Sequence, residues 1–227
     1  MDFLRATLAI ALKDLRIEAR AREIVYAMIF FSALVVLLFA FAFTREGQSD
    51  LAAVGGVIWI AVALTGTLGL GRAMDREREH GTMRALLLAP IDRTAIYLGK
   101  LIGITCFMLL AEAFALPLTA LFFQTSLFDH ALPLFALLLL GTLGYAAVGS
   151  LFAAMLARAR GRDVLLGIVL YPVVIPILLA GTRGTQALLT VPADPALAWF
   201  WVKLMVAFDA VFIIVALWLY EPLIAIE

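Results

Sequence analysis

Residues 72–100 read RAMDREREHGTMRALLLAPIDRTAIYLGK, a charged and punctuated stretch between two long apolar runs. Six of the chain's 17 Lys and Arg fall in it: Arg72, Arg76, Arg78, Arg84, Arg93 and Lys100. The alternating charges Asp75-Arg76-Glu77-Arg78-Glu79 extend the preceding helix into water. Exposed ion pairs of this kind contribute only about 0.3–0.5 kcal/mol each, so they speak for solvation rather than stability. Gly81 breaks that helix. Thr82 is placed to cap a short new one, whose Met83, Leu86 and Leu87 share a side, and Pro90 ends it. Asp92 is placed to cap the next apolar run. A short helix with leucines and no span of its own has two uses. It docks in the groove of a soluble partner, or it rests on lipid headgroups.

The flanking runs decide the class. The 227 residues are 65% hydrophobic and 15% charged, with a mean hydropathy of +1.07. Soluble domains run at about 45–50% apolar and about 25% charged, so lipid must solvate much of this surface. A span needs about 20 apolar residues, and six runs qualify: 24–43, 54–73, 96–123, 133–157, 164–181 and 199–220. The expected fold is therefore an all-α integral membrane protein, one permease-like domain over 1–227. Fourteen of the 17 basic residues fall before the first run, in or beside the link that joins the second and third (Arg72 and Lys100 lie at the facing ends of those runs), or between the fourth and fifth. That asymmetry puts both termini and the segment 74–95 in the cytoplasm.

The first 23 residues lack the short apolar core of a secretory signal. Leu4, Leu8, Leu12 and Leu15 fall at helical spacing, with Lys13, Arg16 and Arg20 on another side, the pattern of an amphipathic helix lying in the interface. The link 182–198 has an apolar centre at 187–191, so it either dips back toward the membrane or forms a Pro-rich surface loop. Tyr171-Pro172 and Pro176 predict a kinked fifth span. Small residues every fourth position in the fourth span (Ala146, Ser150, Ala154; Gly149, Ala153, Ala157) predict close helix packing.

Few residues carry chemistry. The net charge of +0 gives no argument for nucleic acid, and the single Cys106 excludes an internal disulfide or a Cys-x-x-Cys motif. Gly99-Lys100 lacks the rest of a P-loop, so ATP hydrolysis is not expected of this chain. Catalytic motifs of intramembrane enzymes are likewise missing. Glu112 lies ~18–24 Å along the third span at 1.5 Å per residue. An ionisable group at that depth is either a functional polar site or a protonated bridge between helices. Asp209 shares the last span with Lys203, on a different side, and needs a partner from elsewhere. His130 beside Asp129 has no second ligand for haem in view, and an interfacial aromatic belt accounts for Trp199 and Trp201.

The pattern Glu79-x-Gly81-Thr82-x(3)-Leu86-Leu87-x(2)-Pro90-x(8)-Gly99-Lys100 resembles the segment after the second span in permeases of the ABC-2 exporter superfamily. Across its whole length the chain is similar to the CcmB family, the haem exporter B subunits of bacterial cytochrome c maturation. Gly56-x(2)-Trp59, Leu140-Gly141-Thr142-Leu143-Gly144, Val164-Leu165-Leu166 with Pro172 and Pro176, and Tyr220-Glu221-Pro222-Leu223 carry that likeness. Met83-Arg84 departs from it, since the family tends toward an acidic residue there. The resemblance implies an ABC-2 type permease in the bacterial plasma membrane. Its segment 82–90, with Glu79, Gly81, Thr82, Met83, Leu86, Leu87 and Pro90, would couple to a separate ATPase, CcmA, which holds ATP and Mg. It further implies two copies per complex, membrane partners CcmC and CcmD, the haem chaperone CcmE, and haem as cargo. Two other readings stay open: a non-transporting scaffold that relays ATPase motion, and an exporter of lipid, polysaccharide or drug.

Overall fold

A computed structural model describes residues 3–45, 48–79, 92–156, 159 and 161–225. Seven α-helices make up these residues: α1 Phe3–Ala21, α2 Glu23–Phe43, α3 Leu51–Glu79, α4 Arg93–Phe123, α5 Ala131–Met155, α6 Arg162–Leu189 and α7 Pro195–Ala225. Six of them, α2 to α7, are long and apolar enough to cross a membrane. Helices are the expected solution, because lipid offers no partner to an exposed N–H or C=O and an α-helix satisfies its own. One short exception follows α2, where Thr44–Arg45 pairs antiparallel with Gln48–Ser49 in a two-residue ladder.

The helix ends follow local chemistry. Arg22, at φ 59°, turns the chain from α1 into α2. Asp50 accepts the Ala52 N–H at 3.0 Å and starts α3. Asp92 accepts both the N–H and the hydroxyl of Thr94, at 2.9 and 2.6 Å, and starts α4 as expected. Those two bonds hold its carboxyl below the usual carboxylate range, so the cap is present at neutral pH and is lost as pH falls through that lowered value. Gln124, at φ 51°, ends α4. Asp194 accepts the Leu197 N–H at 2.9 Å and starts α7 at Pro195, a first-turn position where proline's missing N–H costs nothing.

The link 182–198 of the sequence reading is corrected. The helix expected to stop at 181 runs on to Leu189, so only residues 190–194 lie between α6 and α7. Of the apolar centre 187–191, residues 187–189 are the last turn of that helix, with Ala187 and Leu188 buried, while Val191 is exposed in the short link. Gly181, read as the end of the fifth run, and Gly184, read as part of the link, are packing positions inside it: a Cβ on Gly181 would overlap the Trp59 indole, and one on Gly184 would come within 2.7 Å of Leu137. α6 also passes through Pro172 and Pro176 without a break in its helical assignment.

Trp59 is the centre of the packing. Its ring, 1% exposed, lies between Gly141 of α5 and Gly181 of α6, and its Nε1–H donates to Thr185 Oγ1 at 3.0 Å. Glycine is required at both positions because a methyl would occupy the indole's volume. A small residue of the expected stripe works the same way two turns further along α5, where Gly149 receives Leu70 of α3. Replacing Gly141 or Gly181 with Ala should lower stability by about 1–3 kcal/mol through overpacking. Thermal unfolding of the detergent-purified variants reads this; unchanged midpoints would show that the slot can widen freely.

Candidate functional site

Two polar regions stand out, one at an end of the bundle and one inside it. The first is built on α1, whose circumference divides into three. Leu4, Leu8 and Leu12 are exposed, Arg16 and Arg20 are exposed on another side, and Ala6, Thr7, Ile10, Ala11 and Glu18 are buried. The leucine and basic sides were legible in sequence, but the third was not. It packs on α4, where Gly99 faces Ile10 Cβ and Gly103 faces Asp14. Glycines four apart give a flat groove that lets two helices approach closely. Lys100, between them, is under the electrostatic influence of Asp14 and Lys13.

Glu18 closes this region. One carboxylate oxygen accepts the Val25 N–H at 2.9 Å, satisfying a free donor in the first turn of α2. The other accepts from Arg76 Nη1 at 2.6 Å, and Arg76 Nη2 lies 3.8 Å from Glu23. Glu18 is 2% exposed, so the pair works in a poorly solvated place where charge-assisted bonds are strong. The α1–α2 turn is thereby tied to the last turns of α3, three residues before Glu79. Tyr97 near the start of α4 meets Tyr220 of α7 at 5.1 Å between ring centroids. The contacts thus gather the α1–α2 turn, the end of α3, the start of α4 and the end of α7 at one end of the bundle.

In sequence, the expected coupling residues fall between Arg76 and Asp92. Glu79 is the last helical residue of α3, while Gly81, Thr82, Met83, Leu86, Leu87 and Pro90 lie outside the described residues. Sequence reasoning counted Arg76 only as a charge and passed over Glu18. The helical spacing of Thr7, Ala11, Asp14 and Glu18 left a trace of the buried side of α1, too weakly apolar to compete with the leucines.

The second region is one turn of α5, Gly141 to Tyr145. The Thr142 hydroxyl donates to Glu112 Oε1 at 2.5 Å, joining α4 to α5. Gly144 makes room for Asp209 of α7 and Ile177 of α6; a Cβ there would overlap the Asp209 carboxylate. Tyr145 donates to the Ala63 carbonyl at 2.7 Å and lies 2.7 Å from Thr67 Oγ1, which is 3.1 Å from Tyr171 Oη. Glu112 and Asp209 therefore reach the same turn but do not meet, because positions 142 and 144 point about 200° apart around a helix. Both acids are buried. Glu112 Oε2 and both oxygens of Asp209 have no hydrogen-bond partner among the described residues. Lys203, by contrast, is exposed, and does not pair with Asp209.

Glu112 also borders a cavity of about 10 Å³ with Ser32 of α2, Thr65 of α3 and apolar neighbours from α3 and α4. That volume accommodates about one water molecule. Among the described residues no cluster of three His, Cys, Asp or Glu is arranged to hold a metal ion.

These features define a multi-pass, all-helical membrane protein with a buried acidic core and a tied end. Residues 5–221 match the family described as CcmB protein, and the chain belongs to that family. A heme exporter protein B of Pseudomonas aeruginosa is 30% identical over 79% of this chain and 80% of its own length. Proteins of the same name from Paracoccus denitrificans and Rhodobacter capsulatus are each 27% identical, over 78% and 79% of this chain and 81% and 84% of theirs.

The Glu18–Arg76 pair is directly testable. A double-mutant cycle with Glu18→Gln and Arg76→Met should return a coupling of about 0.5–3 kcal/mol, the range for residues in one ion-pair network. Strictly additive losses in thermal stability would show that the pair does not hold the joint.

Proposed function

We propose that this chain is the membrane-spanning subunit of an ABC transporter serving haem export in cytochrome c biogenesis. Membership of the CcmB family, with curated relatives named heme exporter protein B, carries this reading. The energy comes from a separate ATPase, CcmA, which binds ATP and Mg. It grips the segment 82–90 through Met83, Leu86 and Leu87. CcmC, CcmD and the haem chaperone CcmE are the neighbouring subunits, and two copies of this chain stand in the complex. Both termini face the cytoplasm of a bacterial plasma membrane, as the basic-residue asymmetry requires.

Two structural observations support the coupling part of the reading. The α3 end is tied to α1 and α2 by Glu18 and Arg76, and the α4 start is capped by Asp92. A force applied to the segment between them would reach both helices with little slack. The exposed Leu4, Leu8 and Leu12 suit the interface, where the basic side meets lipid phosphates.

The cavity beside Glu112 favours one version of the output. Pockets for drug-sized ligands occupy about 300–1,000 Å³, far above the space there. Glu112 serves the packing and motion of the helices rather than a haem route through that point. ATP-driven motion would then act on a haem-handling neighbour or release the loaded chaperone.

The experiment is co-purification after a single change. Leu86→Asp should release or uncouple the ATPase while all six spans remain inserted, read by recovery of the ATPase on tagged protein and by protease accessibility. Undiminished ATPase recovery and undiminished ATP-driven output in that variant would overturn the docking reading.

A further inference from the structure

Four helices each send one polar side chain to the same place: Ser32 from α2, Thr65 from α3, Glu112 from α4 and Thr142 from α5. Their hydrogen bonds do not close. Thr142 satisfies one oxygen of Glu112, while the other oxygen and the Thr65 hydroxyl are buried without a partner among the described residues. Ser32 has spent its proton on the Ile29 carbonyl at 2.9 Å and keeps accepting capacity.

Thr65 is the telling residue. A helical threonine usually returns its hydroxyl to the carbonyl four residues back. Thr67, Thr105 and Thr119 all do so here, at 3.0, 2.7 and 2.8 Å. Thr65 does not, and it borders the cavity that Glu112 borders. The space is right for one water, and a buried water makes about three hydrogen bonds to groups otherwise unsatisfied.

Charge decides what else the site holds. No ionisable side chain other than Glu112 lines it. On α4 itself, Lys100 is twelve residues away, about 18 Å along the helix, and Cys106 is six. On the packed helices, Lys13 and Asp14 of α1 face Lys100 and Gly103. Glu23 and Tyr26 belong to the start of α2. Arg72, Asp75 and Arg76 begin seven residues beyond Thr65. Tyr145 of α5 is committed to Ala63 and Thr67. Asp209 sits against Gly144 on another side of α5, and Tyr220 of α7 stacks on Tyr97. An anion at Glu112 would therefore have no countercharge, which the interior of a bilayer does not tolerate cheaply.

We propose that Ser32, Thr65, Glu112 and Thr142 form a binding site for one proton and one water, a hydrated carboxylic acid within the span bundle. Glu112 Oε2 carries the proton and donates it to the water. Thr65 donates to the same water, and the water donates to Ser32. The proton is exchangeable because the water touches it. The walls are three separate helices, so the space for the water depends on how α2, α3 and α4 sit relative to one another. This inference stands on the packing alone and does not require the transport reading.

Infrared spectroscopy of the full chain in lipid nanodiscs tests it, with Asp209→Asn used to assign the other buried acid. The expected result is a protonated-carboxyl C=O band that shifts in D₂O, disappears in Glu112→Gln, and moves but survives in Thr65→Val. Thr65→Ser should restore its position. If Glu112→Gln removes no such band, or if added sodium abolishes it in the unmutated protein, a carboxylate with a bound cation replaces the proposal. A band that neither exchanges in D₂O nor moves in Thr65→Val is a dry acid, which also overturns it. Either threonine variant decides the matter should Glu112→Gln fail to fold.

Discussion

The indole of Trp59, held between two glycine backbones, is the contact on which the bundle depends. Within lipid there is no hydrophobic drive between helices, so association rests on close packing and a few buried hydrogen bonds. The Trp59 slot supplies both. Gly141 and Gly181 admit the ring edge and face from α5 and α6, and Thr185 takes its N–H. α3, α5 and α6 are fixed against one another by a single side chain. The same turn of α5 then reaches α4 through Thr142 and α7 through Gly144. A larger residue at either glycine would separate not one helix pair but several.

That arrangement explains why two carboxyls lie in an apolar core without meeting. Each fills a recess in the same turn of α5, one at a hydroxyl and one at a missing Cβ. A shared recess would have forced two acids together, with like charges or a shared proton. Their separation by about 200° around the helix keeps the two carboxyls in different recesses. Glu112 has a donor and a cavity bordered by two hydroxyls, whereas Asp209 lies against Gly144 and has no hydrogen-bond partner among the described residues. The two acids are therefore chemically different positions, although composition alone would class them together.

Much of the fold was legible in the sequence because lipid imposes a simple code. Length and hydropathy located all six spans, and the Asp92 cap and the helical continuation through Glu79 followed from local chemistry. The end of α6 was misread for a physical reason. Gly181 was read as the end of the run and Thr182, Gly184 and Thr185 as part of a link, yet the two glycines make room for Trp59 and Leu137 from other helices and Thr185 accepts from the Trp59 indole. Tertiary packing overrode helix propensity there. The buried side of α1 was hidden similarly, since Ala6, Thr7 and Ala11 carry little hydropathy while the leucines beside them face outward. Glu112 and Asp209 stood out as ionisable residues in apolar runs, but their partners, Thr142 and Gly144, could not be paired with them by spacing.

The two polar regions are connected by rigid elements. α3 carries Arg76 at one end and Thr65 eleven residues away, about 16 Å along a helix. α4 begins at the Asp92 cap and carries Glu112. These are the helices that flank residues 80–91, and together with α2 they wall the small cavity. α2 in turn begins at the turn that Glu18 ties to Arg76. Helices in a close-packed bundle do not deform continuously; they shift as units between discrete packings. A relative displacement of α3 and α4 at the tied end must therefore alter the gap between Thr65 and Glu112, unless one of those helices bends between the two points.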